Sequence, residues 1–290
     1  MGGEALRHVF LPYALAAILS ALVLPGPASA QAESSPLTWA IYDAAPFMMR
    51  EGPDTDRGIF DRIRHILSER LSDLPQTILE APFPRIVSAM KSGANWCFVG
   101  GVKTPERETF AVFSRPVAMF YPLRIIINRQ ALPRFQALGP LSLTNVLRDH
   151  HDLKTSLLRN RSLGPTIDAL LQRYPVKEQH SDFGEAFRML LTGRLDYLID
   201  YSNIAGYYAE RLGQADAFAL LLIEESIEPV FPRVMCAATP EGRNAVQRID
   251  AILETERPTD AYRTIVEAWS APQDRPKIRA VYDTTFLATP

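Results

Sequence analysis

Residues that carry chemistry are scarce in this chain. Among 290 residues there are two cysteines, Cys97 and Cys236, and five histidines. His8 falls in the N-terminal segment, His65 within a charged helical pattern, and His180 at the end of a strand-like run. His150 and His151 are adjacent in the polar turn "RDHHDLK", so their rings need not share a face. No pair stands at zinc-ligand spacing with a supporting carboxylate, and no metal site is expected. There is no Gly-x-Ser-x-Gly elbow and no glycine loop for phosphate, so no catalytic group or cofactor is assigned. Basic excess is also missing. With 31 Lys and Arg against 33 Asp and Glu, the formal charge is −2, which argues against a nucleic-acid partner. Beyond the first thirty residues no apolar run approaches the ~20 residues needed to cross a bilayer. Internal repeats and low-complexity segments are absent as well.

What is present begins with residues 1–30. A weakly basic start at Arg7 and His8 precedes an apolar run from Val9 to Leu24, which Pro25, Gly26 and Pro27 end. Ala28-Ser29-Ala30 has the small-x-small form of a signal-peptidase site, with cleavage after Ala30. Residues 1–30 are therefore predicted to be a secretory signal peptide and the mature protein to be periplasmic. No cysteine follows the cleavage site, so a lipid anchor there is not expected. An even number of cysteines in an oxidising compartment favours one disulfide, Cys97–Cys236. It would close a loop of about 140 residues, worth ~4–5 kcal/mol in the chain-entropy model.

The remaining chain alternates strand and helix signals. "LTWAIYD", "QTILEA" and "NWCFVGG" read as strands, separated by the helical patterns "GIFDRIRHILSERL" and "PFPRIVSAMKSG". This order implies a parallel sheet built from crossover units. A second set follows. "YPLRIIINR", "LKTSLLRN", "VKEQHS" and "RLDYLIDY" read as strands. Helices are predicted after Ser142, Gly164 and Asp182, and from a Ser202 cap to Gly213. "FALLLIEESI" and "RVMCAAT" lead to two final helices, 240–256 and 259–270. If the disulfide forms, the late strand lies beside the third strand, and the chain returns to the lobe it began in. The expected segments are 36–122 (lobe one), 123–224 (lobe two) and 225–290 (the return to lobe one). Crossing segments near Tyr121–Arg124 and Ile223–Ser226 would form the hinge, and the cleft between such lobes is a favoured ligand site.

Four stretches, in order and spacing, carry a resemblance over nearly the whole mature chain. They are "YDAAPFMMREGPDTDRGIFDRI", "RIVSAMKSGANWCFVGGVKTPERETFAVFSRPV", "DLKTSLLRNRSLGPTIDALL" and "MLLTGRLDYLIDY". The chain resembles the family 3 extracellular solute-binding proteins, the polar amino-acid receptors of bacterial ABC importers. The resemblance implies an α/β, two-lobed type 2 periplasmic-binding-protein fold, each lobe a mainly parallel sheet flanked by helices, with two crossing hinge strands. It implies a small-molecule ligand, an amino acid or other small carboxylate, with an ABC permease or a sensor as partner and a monomeric state.

The site residues follow from the same likeness. Arg107 matches the family arginine that grips the ligand's α-carboxylate, and a guanidinium presents a planar fork suited to that group. Thr104 stands three residues earlier, where it can cap the turn. On lobe two, Arg161, Ser162 and Gly164 match a loop before a helix N-terminus, whose free amides favour an anion. Asp200 is the near match to the family's ammonium-binding acid, with Tyr201 at the aligned place. Gly100 and Gly101 stand where hydroxyl residues are usual and would offer backbone amides to a close ligand. Tyr42, Phe47 and Trp39 are the candidate ring contacts, with core packing the alternative for Trp39 and Phe47. Arg85 is placed at the cleft end of its helix. An enzyme on this fold would draw on Glu178, Asp200 or Glu224, but no carboxylate pair stands at recognisable spacing. The binding reading is therefore taken first and a sensor domain second.

Overall fold

Strand-forming runs alternate with helices whose apolar residues recur every three or four positions, a pattern that stacks helices on sheets. A computed structural model describes residues 1–3, 36–214, 216–225, 228–270 and 274–290. The signal-peptide segment and its cleavage site fall outside the described residues, apart from 1–3. Residues 34–290 make one unit.

In chain order the first elements are β1 (Leu37–Ile41), α1 (Ile59–Arg70), β2 (Gln76–Glu80), α2 (Phe83–Lys91), β3 (Trp96–Gly101), α3 (Pro105–Glu108) and β4 (Ala111–Pro116). The middle of the chain forms β5 (Leu123–Asn128), α4 (Leu132–Gln136), α5 (Leu143–Asp149), β6 (Ser156–Leu158), α6 (Pro165–Arg173), β7 (Glu178–His180), α7 (Phe183–Leu191), β8 (Tyr197–Tyr201), α8 (Ser202–Arg211) and β9 (Phe218–Leu221). The last part holds β10 (Arg233–Ala237), α9 (Pro240–Glu256), α10 (Asp260–Val266), α11 (Arg275–Val281) and a π-turn over Tyr282–Phe286.

Lobe one is a sheet of order β2-β1-β3-β10-β4, and lobe two holds β8-β5-β9 and the pair β6-β7. The crossover strands pair in parallel, β1 with β2 and β3, and β6 with β7. Strands that enter from the other lobe, or that follow a tight link instead of a crossover helix, run against their neighbours. These are β10 beside β3 and β4, and β5 beside β8 and β9. Cys236 stands directly opposite Cys97 in the β3–β10 ladder, and the two are disulfide-bonded with Cα atoms 4.1 Å apart. The late strand thus lies beside the third, as expected if the disulfide forms. Between the lobes Phe120 and Val230 bridge the outgoing and returning segments.

Helix faces follow the pattern read from the sequence. Ile59, Ile63 and Leu67 of α1 are each at most 2% exposed and pack into the lobe-one core. Burial of each contributes about 1.5–3 kcal/mol. Ser142 and Asp182 cap α5 and α7 through their side-chain oxygens. The expected cap of α8 is corrected by one residue. Tyr201 holds the cap position and Ser202 is the first helical residue, because its hydroxyl is drawn to Asp274, 3.1 Å away. The last expected helix ends early, at Val266, and α11 was not foreseen. Ile278 is the one buried residue of α11, so it carries little periodic signal. Among the described residues no helix is long and apolar enough to cross a membrane.

Candidate functional site

The site is built first from the C-terminal end of β3. After Gly101 the chain leaves the sheet, and Thr104 caps α3 by accepting a hydrogen bond from the Arg107 amide at 3.3 Å. One short turn then sorts its charges. Glu106 and Glu108 point outward to Lys91 and Lys103, at 3.0 and 2.7 Å. Arg107 turns inward and is 7% exposed. Its Nη1 donates to the Val102 carbonyl and its Nη2 to the Asn160 carbonyl of the other lobe, both at 2.8 Å. The guanidinium lies 5.5 Å from the centre of the Phe83 ring. Burial pulls its pKa down while Asp168 and Glu106 act against that, and a guanidinium stays protonated in any case. Both of its hydrogen-bond partners are neutral.

Arg161, on the loop after β6, has a different setting. Its Nη1 donates to Asp200 Oδ2 at 2.8 Å, and Asp200 Oδ1 accepts from the Tyr201 amide at 2.8 Å. The guanidinium sits over Phe183, Tyr201 and Phe120, at 4.9, 5.3 and 5.9 Å. Burial pushes the Asp200 carboxyl up, and the adjacent guanidinium and the Tyr201 amide pull it back. For Arg161 burial acts downward, but Asp200 and Tyr201 hold the guanidinium above its ordinary value. The net direction for Asp200 is upward, with burial the largest cause.

The start of α6 is already served from within the protein. Asp168 accepts from the Ser162 hydroxyl and from the Leu163 amide, the latter at 2.8 Å. The expectation of an open anion site formed by Arg161, Ser162 and Gly164 is therefore corrected, since two of the three spend their polar groups on neighbouring acids. Gly164 is a required glycine. Its φ is +102°, and a Cβ there would stand 2.6 Å from Val230 Cγ2.

Between the two arginines lies a cavity of ≈ 30 Å³, room for about one or two water molecules. Tyr42 packs against Phe83 and Phe98 at 5.6 and 5.8 Å. Phe47 stacks on Phe60 at 5.0 Å and meets Phe120 edge-on at 4.9 Å. Burial pushes the Tyr42 hydroxyl up to about 12. Arg107, Arg161 and Ser162 also line this space, and among the described residues no carboxylate does. A smaller space of ≈ 20 Å³ adjoins Arg161, Asp200 and His180. His180 pairs with the Ser156 hydroxyl at 2.9 Å, and burial, with Arg161 beside it, pushes it down to about 4. A wider groove of ≈ 820 Å³ runs past Thr104, Gly164, Tyr201 and Phe231. The buried Tyr201 hydroxyl has no hydrogen-bond partner among the described residues.

The structure thus brings Arg107, Arg161, Ser162, Gly100, Tyr42 and Phe47 to one cavity and places Thr104, Gly164 and Tyr201 on the groove. Asp200 stands behind Arg161. Two expected positions are corrected. A Cβ on Gly101 would meet Met235 of the neighbouring strand at 2.6 Å, so this glycine answers to sheet packing. Arg85 is exposed, because α2 buries Phe83, Ile86 and Met90 and a residue two places from Phe83 falls on the opposite side. Trp39 is core, with its indole donating to Gln76 at 2.7 Å. The sequence reading missed Phe83, Phe98, Phe120 and the Asn160 carbonyl. Phe83 had a local signal, its place between two prolines at a helix start. Glu178 and Glu224 are exposed and away from the cavity. Among the described residues no group of three or more His, Cys, Asp or Glu is arranged to hold a metal ion.

No family model matches the sequence, and no curated protein matches it. Solved structures do share its shape. A histidine kinase sensor domain with similarity to periplasmic binding proteins aligns at TM-score 0.65 and 18% identity, over 82% of this chain and 97% of its own. An ancestral arginine-binding protein bound to arginine aligns at TM-score 0.63 and 18% identity, over 82% and 100%. The substrate-binding protein of an amino-acid ABC transporter aligns at 0.60 and 17%, over 81% and 98%. At these identities the likeness establishes the fold, the two-lobed architecture of periplasmic binding proteins.

Proposed function

We propose that this protein is a divergent family 3 solute-binding protein, exported to the periplasm, whose lobes close on a small carboxylate. Segment 1–30 is read as the export signal, 36–122 with 225–290 as lobe one, and 123–224 as lobe two. The observation that carries the reading is Arg107. It is buried, lies at the C-terminal end of a parallel strand where α/β sheets place ligand sites, and reaches a carbonyl of the other lobe. Its hydrogen bonds go to neutral carbonyls, and Asp168 and Glu106 attract it only from beyond contact distance, so an arriving carboxylate would be its contact counter-ion. Because both lobes supply contacts, the ligand binds the closed form better than the open one and shifts the population toward it. The ligand-binding proteins among the similar structures support this use of the cleft. An importer permease or a sensor would read closure, and no enzymatic step is assigned.

A thermal-shift screen tests the reading. Protein stripped of carried-over ligand by unfolding and refolding is tested against amino acids, other carboxylates, polyamines and short sugars, with Arg107→Ala in parallel. Stabilisation by a carboxylate that Arg107→Ala abolishes is the expected result. Stabilisation by sugars or polyamines alone would overturn it. A sensor domain is the second reading, favoured by the kinase sensor domain among the similar structures. The contacts that already join the lobes fit it as well, including Tyr207 edge-on to Trp269 at 5.8 Å. A permease gene beside this one would argue against that alternative.

A further inference from the structure

The charges around the cavity do not balance like those of an amino-acid site. An amino-acid zwitterion brings a carboxylate and an ammonium and needs donors for the first and an acceptor for the second. Asp200, the acid that the family resemblance would assign to an ammonium, is buried at 6% exposure and already paired. One of its oxygens receives Arg161 and the other the Tyr201 amide. Asp168, the next acid, accepts from Ser162 and Leu163 and does not line the cavity. Among the described residues the lining contains two guanidiniums and no carboxylate. An ammonium entering it would sit unpaired beside Arg161, and a buried charge without a partner is strongly disfavoured.

Of the two guanidiniums, Arg107 is the one without an ion pair in contact among the described residues; Asp168 attracts it from beyond contact distance, with its carboxylate spent on Ser162 and Leu163. The remaining wall is built of rings, Tyr42 with Phe83 and Phe98 and Phe47 with Phe60 and Phe120. Rings on both sides favour a flat apolar body, through offset-stacked and edge contacts. At ≈ 30 Å³ the space is too small for such a body as it stands, so binding requires these side chains to move apart.

We infer that the cleft is specific for an aromatic monocarboxylate without an α-ammonium group, with Arg107 as the carboxylate clamp and the Arg161–Asp200 pair as the element that rejects amino acids. This rests on the carboxylate-binding reading above and narrows its ligand class.

Isothermal titration with matched probes decides it. The full chain, expressed with export and stripped of bound ligand, is titrated with phenylpyruvate, phenylacetate, L-phenylalanine, L-arginine, L-glutamine and succinate. Phenylpyruvate or phenylacetate is expected to bind about 100-fold or more tighter than L-phenylalanine, the scale of an unpaired buried charge. Arg161→Met, which uncovers Asp200, is expected to narrow or invert that ratio. If it does not fold, the wild-type ratios decide alone. L-Phenylalanine or another amino acid binding as tightly as the ammonium-free probes would overturn this specificity and leave the carboxylate receptor standing. Succinate binding more tightly than the aromatic acids would overturn it in the same way. Failure of every carboxylate to bind the folded protein would overturn both.

Discussion

Arg107 and Arg161 are two guanidiniums on the same cavity, one from each lobe, and they differ in what neutralises them. Arg161 is matched by Asp200 at 2.8 Å and covered by three rings. Arg107 is equally held, but by two carbonyl oxygens. Hydrogen bonds to neutral groups fix a guanidinium's direction without cancelling its charge. A side chain of the first kind contributes to the fold, and one of the second kind is set up for an anion that comes and goes. Residue type and burial do not separate the two. The charge of the partner does.

The sharpest way to break this contrast is to remove the matching charge. Asp200→Asn leaves Arg161 buried without its counter-ion, and the expected cost is ~3–5 kcal/mol of unfolding free energy, read from urea titrations. Asp200→Asn/Arg161→Met should restore most of it, because an apolar replacement of a buried pair is often near neutral. A loss below about 1 kcal/mol in the single variant would mean that Arg161 is as free as Arg107. Next in size, Arg107→Ala should weaken carboxylate binding by ~2–4 kcal/mol, about 30- to 1000-fold, while its stability falls by about 1–2 kcal/mol from two orphaned carbonyls. Unchanged affinity for a carboxylate that binds wild type would remove Arg107 from the site.

The same contrast shows what could be read from the sequence. The alternation of strands and helices was legible because apolar periodicity is local, and so was the cap at Thr104 that turns Arg107 inward. The disulfide was legible from the cysteine count and the expected export. Arg161 and Asp200 were both singled out, but as separate ligand contacts, and nothing local shows that residues 39 positions apart satisfy each other. Phe98 and Phe120 were missed for a related reason. Aromatic residues in strands and links look like core until the second lobe closes over them. Arg85 went wrong through the choice of helix face, which Phe83 had already taken.

Gly100 offers a smaller test on the Arg107 side. Its φ is +116°, and a Cβ would stand 2.3 Å from the Phe60 ring. Gly100→Ala is therefore expected to cost ~1–3 kcal/mol through backbone strain and displacement of that ring. Carboxylate affinity should fall with it, because Phe60 stacks on Phe47 at the cavity wall. Full stability with normal affinity would show that the wall is softer than its ring contacts indicate.

Glu225 carries the contrast to an acid and gives the smallest effect. Like Arg107 it is a charge held by neutral groups, namely the Ser142 hydroxyl at 2.6 Å, the Leu143 amide at 2.8 Å and the Thr144 amide at 2.9 Å. Partial burial acts to raise its pKa, but these donors together bring it down to about 2. A depressed folded-state pKa stabilises the protein above the unfolded-state value, which is 4.5, and that contribution is lost as pH falls toward about 2. Because the group is partly exposed, solvent screening reduces the expected contribution to about 1 kcal/mol. Urea titrations of wild type and Glu225→Gln should differ by that amount at pH 6 and converge near pH 2, since the other carboxylates are common to both proteins. A difference that persists undiminished at pH 2 would mean that Glu225 acts through the shape of its hydrogen bonds at the start of α5 and not through its charge.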